Sequence, residues 1–221
     1  MTHSVTERYR PPQLPLDVLY EDDTCVVVNK PSGLLSVPGR GEEKQDCMAT
    51  RLLGRFPDAM IVHRLDMETS GILVFARGVD AQRTLSMAFA SRQVSKAYEA
   101  LVSGLPDPTD GSIDMPLITD WPNRPRQMVD HQRGKPSLTH FSTLARPSPD
   151  TSRLRLIPIT GRSHQLRVHL QAIGHAILGD ALYADAPARQ QAPRLMLHAC
   201  ELRFPHPVSG EPIHISCPCP F

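Results

Sequence analysis

The sequence predicts an α+β fold in which a mixed, mainly antiparallel sheet is flanked by helices. Two observations favour this class: predicted strands outnumber predicted helices, and the two do not alternate in the regular manner of a doubly wound βαβ fold. The 221 residues suffice for one substantial core. We therefore expect residues 15–221 to form a single domain and residues 1–14, which show little apolar pattern, to form a surface arm.

The first predicted elements are two strands, a sharp corner and a helix. Apolar residues at 18–20 and 25–28 flank an acidic turn, a pattern typical of a β-hairpin. The corner Lys30-Pro31-Ser32-Gly33 that follows must turn sharply. Asp46 is in position to cap a helix that runs to about Phe56, after which a proline ends it.

The next predicted elements surround a tight connection. Apolar runs at 60–62 and 72–75 are rich in β-branched residues and predict two buried strands joined by residues 63–71. Asp80 precedes a helix whose apolar residues fall on one face. The alternating segment 94–102 then predicts a strand that carries Tyr98.

The last predicted elements are strands with one helix between them. Strands are predicted at 138–144 and 154–159, followed by a helix from Ser163 to Ile173 that Gly174 closes. Short apolar runs near 195–198 and 213–215 predict two late strands.

Basic residues are concentrated in two segments, although the net charge is only +1 and arginine far outnumbers lysine. Residues 151–170 contain four arginines and no acid, and residues 121–135 contain four basic residues and one aspartate. Arginine is suited to phosphate and base contacts, so the two stripes predict a localised polyanion site. The Pro-rich segment 119–126 holds the single Trp121 and predicts an exposed loop; its tryptophan either stacks on bases or pins the loop.

Several common kinds of site have no marker in the sequence. The five cysteines include no C-x-x-C pair, and Cys217-Pro218-Cys219 is more typical of a tail than of a metal site. Motifs for nucleotide cradles, zinc hydrolases and serine acyl transfer are missing. No apolar run reaches membrane-spanning length, and no signal peptide is evident. We therefore expect a cytoplasmic protein with no membrane partner, no metal and no cofactor.

The stretch from His63 to Gly71 is the best candidate for an active site. It joins one carboxylate, Asp66, to Arg64 and to a turn-forming Thr69-Ser70-Gly71, on a connection between two predicted strands. Taken alone, Asp66 could simply pair with Arg64 or cap the next turn. With basic stripes elsewhere and the other motifs missing, the combination fits covalent or general-base catalysis by aspartate.

Three motifs in order resemble those of the RluA-type pseudouridine synthases: residues 63–71, Lys96-Ala97-Tyr98 and residues 160–169. The likeness extends over 16–215. It implies the pseudouridine synthase fold, with a central RNA-binding cleft, and isomerisation of uridine to pseudouridine in structured RNA. The loop at 120–125 and the lack of an S4-type domain resemble family members that act on tRNA anticodon stem-loops and a 23S rRNA hairpin.

The resemblance also implies roles for individual residues. Asp66 is then the catalytic carboxylate, acting at C1′, at C6 of the uracil or on a ribose proton. Arg167 would keep Asp66 ionised, because a nearby opposite charge lowers a carboxylate pKa by about one to three pH units. Tyr98 would stack on the uracil, Leu197 would form an apolar pocket wall, and Arg64 would fill the gap left by a flipped uridine. The residues expected to contact RNA are Arg64, His63, Arg162, His164, Trp121, Arg124 and Arg126.

Two alternatives stay open at this point. A non-catalytic RNA-binding or RNA-chaperone module could retain the same fold, although binding alone would not require a carboxylate among phosphates. A family member with a different rRNA target is the other alternative. We expect a monomer whose partner is tRNA, 23S rRNA or both.

Overall fold

The computed structural model describes residues 9–221, so most of the predicted arm lies outside the described residues. The part that is described packs against the body of the protein. Tyr9 Oη donates to the backbone oxygen of Asp46, and Arg51 donates to the backbone oxygen of Pro12.

Strands dominate the described chain. The strands are β1 (Val18–Glu21), β2 (Cys25–Lys30), β3 (Ala59–Ile61), β4 (Ser70–Arg77), β5 (Ser95–Ser103), β6 (Asp110–Asp114), β7 (Leu117–Thr119), β8 (Gln127–Val129), β9 (Leu138–Ser148), β10 (Thr151–Pro158), β11 (Leu197–Pro205) and β12 (Pro212–Ser216). The α-helices are α1 (Met48–Leu53), α2 (Val79–Ala90), α3 (Gln165–Ala172) and α4 (Ala186–Gln190). None of the helices in residues 9–221 is long and apolar enough to cross a membrane.

Ten strands form one mixed sheet in the order β1-β2-β4-β11-β5-β10-β9-β6, with β3 added to β4 and β12 added to β11. Within the described chain, β4 and β11 are the only parallel neighbours in this sheet. The predicted class, a mixed and mainly antiparallel sheet with flanking helices, is confirmed. The parallel contact lies at the centre of the sheet, where residues 63–71 enter β4.

Gly71 makes that central contact possible. Its φ is +110°, and a Cβ at this position would lie 2.3 Å from the backbone oxygen of Ala199 on β11. A side chain would therefore force the two strands apart. Glycine ends the Thr-Ser-Gly turn because the backbones of β4 and β11 approach so closely.

Strand β2 is apolar from Cys25 to Val28 because helices cover both faces of this half of the sheet. Val26 and Val28 belong to the cluster that contains Leu52 of α1, whereas Val27 belongs to the cluster that contains Leu85 of α2. A third cluster, around α3, fills the other half of the sheet. The site described below lies between these clusters.

Several predicted boundaries were wrong for local reasons. Cys47, rather than Asp46, caps α1 through a reciprocal capping box with Thr50, and Asp46 instead pairs with Arg51 at 2.7 Å. The helix ends at Leu53, before the predicted Phe56. Strand β3 is half-buried rather than buried.

Other differences concern elements whose bounds were misplaced or that the patterns missed. Helix α3 begins at Gln165, two residues after the predicted Ser163, and β11 continues well beyond 198. The hairpin of β7 and β8, which flanks the predicted Trp121 loop, was not foreseen because each strand has only three residues. Between them the chain makes a short 3₁₀ turn, Trp121–Asn123.

Candidate active site

The loop that carries Asp66 is held from beneath by the corner that follows β2. Lys30 is fully buried, and its Nζ donates to the backbone oxygen of Met67 at 2.9 Å and to two further carbonyls of its own corner. Ser36 Oγ donates to the backbone oxygen of Leu65 and accepts its amide, at 2.7 and 3.1 Å. The residues on both sides of Asp66 are therefore fixed by hydrogen bonds.

Arg167 faces Asp66 from the first turn of α3. Its Nη1 lies 3.6 Å from Asp66 Oδ2, as the sequence predicted for this pair. Its main partner, however, is Asp180, which accepts from Nε and Nη2 at 2.8 and 2.7 Å. Burial alone would lower the pKa of Arg167, but the hydrogen bonds and charge of Asp180, together with the charge of Asp66, raise it. A buried, permanently charged guanidinium is thus oriented by one carboxylate and presented to the other.

His164 lies on the other side of Asp66. Its Nε2 is 3.9 Å from Asp66 Oδ2, and its Nδ1 is 2.7 Å from Tyr183 Oη. Tyr183 Oη already accepts the backbone amide of Gln127, so its own proton is available to Nδ1. Burial lowers the pKa of His164, and the Arg167 charge adds to this against the opposing charge of Asp66. When Tyr183 donates to Nδ1, the neutral ring carries its proton on Nε2, the atom that faces Asp66.

Asp66 lies on a cavity of about 590 Å³ at the centre of the sheet. This volume falls within the range of about 300–1,000 Å³ that is usual for small-molecule sites. Tyr98 of β5 and Leu197 of β11 form part of its wall, so the structure brings together the four residues predicted for the reaction and the pocket. Burial, and then the charge of Asp66, raise the pKa of Tyr98, so its hydroxyl stays protonated.

The cavity wall is strongly cationic. Asp66 is the single acidic residue among the described residues that line it. The basic residues on the wall are Arg64, Arg92, Lys96, Arg162 and Arg167, with His63 and His164 beside them. A cavity of this charge attracts a polyanion while keeping one carboxylate inside.

Arg64 and Arg162 are exposed at the rim of the cavity. Arg64 Nη2 lies 3.5 Å from Ser163 Oγ, and Arg162 Nε lies 3.4 Å from the backbone oxygen of Pro136. Neither guanidinium is held by a carboxylate within residues 9–221. Both are placed to contact a ligand that approaches the cavity.

His63 has structural contacts that the sequence did not reveal. Its ring stacks on Phe89 with centroids 4.5 Å apart, and its Nε2 accepts the amide of Val74 at 3.2 Å. Burial, with a smaller effect of the Lys96 charge, lowers the pKa of His63 to about 3. The ring is therefore neutral and holds β4 in place, while its other edge faces the cavity.

The Trp121 loop lies outside the cavity wall, at the tip of the β7–β8 hairpin. The Trp121 side chain is highly exposed, with the Arg124 guanidinium 4.0 Å from its ring centroid. Arg126 lies 5.4 Å from the ring centroid of Tyr183, the tyrosine that contacts His164. The structure thus keeps these three residues apart from Asp66 but connects their hairpin to the site through Tyr183.

Two of the four arginines in the basic segment 151–170 are paired with carboxylates rather than available to a ligand. Arg153 pairs with Glu99 at 2.9 Å, and Arg155 pairs with Glu201 at 2.8 Å. These carboxylates come from the neighbouring strands β5 and β11, which a sequence window does not show. Of the four arginines only Arg162 has no acidic partner within the described chain, so the cationic surface is smaller and closer to the cavity.

Sequence reasoning missed four residues that shape this site. Asp180 lies within the likeness at 177–180, but no role followed from its position. Tyr183 carries no local signal at all. Lys30 belonged to a corner that was expected only to turn, and Arg92 follows a helix without any motif.

The chain belongs to the RNA pseudouridylate synthase family, because the model of that family matches residues 24–172. Among its relatives is a protein of Escherichia coli strain K12 named dual-specificity RNA pseudouridine synthase RluA. The two are 51% identical over 216 residues, which cover 97% of this chain and 99% of the relative. A protein of the same name from Vibrio cholerae serotype O1 is 49% identical, and the match covers 96% of this chain and 87% of the relative.

Solved structures agree with this assignment. Human RNA Pseudouridylate Synthase Domain Containing 1 superposes with a TM-score of 0.78 at 33% identity, covering 94% of this chain and 84% of the human one. Human RNA Pseudouridylate Synthase Domain Containing 4 gives a TM-score of 0.73 at 26% identity, with coverage of 92% and 88%. The fold is that of the pseudouridine synthases.

Proposed function

We propose that this chain isomerises uridine to pseudouridine in structured RNA, with Asp66 as the catalytic carboxylate. The observation that carries the proposal is that Asp66 is alone among cations in the cavity and is faced by a guanidinium that Asp180 holds in place. We further propose tRNA anticodon stem-loops and a 23S rRNA hairpin as substrates. The names of the bacterial relatives, which specify dual specificity, support this choice.

The reaction requires an ionised Asp66. The bond between N1 of the uracil and C1′ of the ribose breaks, the base turns, C5 bonds to C1′, the proton on C5 leaves and N1 gains a proton. Asp66 can act by addition to C1′, by addition to C6 or by removal of a ribose proton, and each route uses the carboxylate form. Arg167 Nη1, at 3.6 Å from Asp66 Oδ2, is placed to orient this carboxylate.

Tyr98 and Leu197 supply the base-binding surface of the proposed site. The Tyr98 ring offers a flat face on which the uracil can stack, and its hydroxyl, kept protonated by burial, lies beside the reacting base. Leu197 is buried on β11 and closes the cavity with an apolar wall. Stacking in such an enclosed site repays part of the free energy that base flipping requires.

The remaining predicted contacts serve the RNA around the flipped nucleotide. Arg64 is exposed directly beside Asp66 and is our candidate to fill the gap in the RNA stack. Arg162 at the rim and the Trp121–Arg126 hairpin are placed to bind more distant phosphates and bases. His63 and His164 act mainly by holding the wall and Asp66 in position.

We propose that the enzyme needs neither metal nor cofactor, because isomerisation involves no net oxidation or hydrolysis. We also propose that the enzyme acts as a monomer. The proposed substrates are made in the cytoplasm of bacteria, which supports activity in that compartment.

Tritium release from RNA labelled at C5 of uridine tests the proposal. The protein should release tritium from tRNA or 23S rRNA transcripts, and Asp66→Asn should abolish release while RNA affinity stays within a few-fold. Glu68→Gln is a matched control, since this carboxylate lies on the same loop but does not line the cavity, and it should retain turnover. Retained turnover in Asp66→Asn would remove Asp66 from its role, and bound RNA without release from any transcript would favour the binding-module alternative.

A further inference from the structure

Arg92 has an unusual backbone conformation at the edge of the cavity. It follows α2 with φ at +60°, and His164 is the only other residue besides glycine with positive φ within residues 9–221. The amide of Arg92 donates to Phe89 O and the amide of Gln93 donates to Ala88 O, which is the hydrogen-bond pattern of a Schellman motif. Arg92 therefore occupies the position after a helix where glycine is usual, at a cost in stability.

The side chain of Arg92 is not used by the fold. It is exposed, it lines the cavity, and within the described chain the residue makes hydrogen bonds only through its backbone. A structural role would have been served better by glycine, because glycine adopts positive φ without strain. Non-glycine residues in strained conformations tend to occur at binding sites, where the side chain has a use outside the fold.

Lys96 lines the same cavity wall as Arg92 and is closer to Tyr98 along the chain. Lys96 and Tyr98 lie on the same face at the start of β5, Val94 directly precedes the strand, and all three line the cavity. Lys96 is half-buried, and no carboxylate within residues 9–221 pairs with it. Burial lowers the pKa of Lys96, so an anionic ligand would compensate for lost hydration.

We propose that Lys96 and Arg92 bind successive phosphates of the RNA strand on one side of the target uridine. Two residues of a strand span about 7 Å, so Lys96 lies that far from Tyr98 along β5. A nucleotide reaches over this distance from its base to its phosphate, and Arg92, four residues before Lys96, lines the same cavity. The inference rests on the proposed function, since it places the uracil on Tyr98.

Arg92→Gly is the most informative variant because it should separate stability from binding. It removes the guanidinium and relieves the backbone strain, so the melting temperature should rise. RNA affinity should fall by about three- to ten-fold, and the slope of log affinity against log salt should become shallower by about 0.7–0.9, the value for one phosphate contact. Lys96→Met should also weaken binding and reduce the slope.

Two controls isolate the charge of Arg92. Arg92→Lys keeps both the positive charge and the positive φ, so RNA affinity should remain near that of the unsubstituted protein. Arg83→Ala removes an exposed arginine from the same helix but away from the cavity, and it should leave affinity and salt slope unchanged.

The proposal is overturned if Arg92→Gly and Lys96→Met bind RNA with the affinity and salt slope of Arg83→Ala. These measurements use binding alone and do not depend on turnover. If the unsubstituted protein released no tritium, the proposed function would fail, whereas a shallower salt slope in Arg92→Gly would still assign this wall to the RNA backbone.

Discussion

Arg167 illustrates how a single residue can be placed to serve both the fold and the proposed chemistry. Its guanidinium makes two parallel hydrogen bonds to Asp180 and leaves Nη1 towards Asp66, an arrangement that depends on the planar fork of arginine. Lysine offers a point charge without that geometry. The distance between Arg167 and Asp66 is therefore set by Asp180, a residue on the far side of the guanidinium.

Substitution of Arg167 should separate these two contributions. Arg167→Met leaves the carboxylate of Asp180 buried without its countercharge, and it should destabilise the protein by about 3–5 kcal/mol in urea unfolding. Arg167→Lys keeps a positive charge and should lose less stability, but turnover should fall by about 100-fold because Asp66 is no longer faced by an oriented donor. Full turnover in Arg167→Lys, measured by tritium release, would show that charge alone is sufficient.

The sequence identified the residues of the site better than their contacts. Asp66, Tyr98 and Arg167 each lie in a short sequence motif that can be recognised without the structure. Asp180 and Tyr183 were missed because their importance comes from tertiary partners on α3 and the β7–β8 hairpin. Contacts between side chains that are distant in the sequence leave no local pattern from which they could be predicted.

At the level of elements, the central junction of β4 and β11 constrains the sequence most strongly. The loop with Asp66 enters β4 here, and Leu197 begins β11 beside it. Gly71 is the point of closest approach. Any residue that separates these strands should disturb both the cavity wall and the loop that carries Asp66.

Gly71→Ala tests this junction. The added Cβ would lie 2.3 Å from Ala199 O, and alanine at a φ of +110° is strained as well, so the loss of stability should be about 3 kcal/mol or more. Gly54→Ala is the control, because Gly54 ends α1 with φ at −65° and has room for a Cβ. It should change stability by less than about 1 kcal/mol. Equal unfolding midpoints in the two variants would contradict this view of the junction.

The existence of the longer strands was predicted better than their bounds, and the shortest strands were missed. Strands β5, β9 and β10 have eight or more residues, and each was found at least in part from the sequence. The three-residue strands β7 and β8 exist only because they pair with each other. The two arginines of β10 show the same limit, since Glu99 and Glu201 neutralise both of them from adjacent strands.

For the whole molecule, burial of neutral histidines makes stability depend on pH. The pKa is lowered by burial in each of four histidines: His63, His164, His169 and His198. In the unfolded chain a histidine binds a proton below about pH 6.5. Below that pH the unfolded state therefore binds more protons than the folded state, and stability should decrease as the solution is acidified.

His63→Gln isolates one of these histidines. The pKa of His63 in the folded protein is about 3, so His63 should lower the free energy of unfolding as the pH falls from about 6.5 to 3. The decrease due to this residue is up to about 1.4 kcal/mol per pH unit. Glutamine can still accept the amide of Val74 but does not titrate. The free energy of unfolding of the His63→Gln variant should therefore fall less steeply on acidification. Above pH 6.5 the two proteins should differ by a constant amount, which reflects the lost stacking on Phe89. Urea unfolding at a series of pH values measures both curves, and parallel curves below pH 6.5 would show that His63 is protonated in the folded protein.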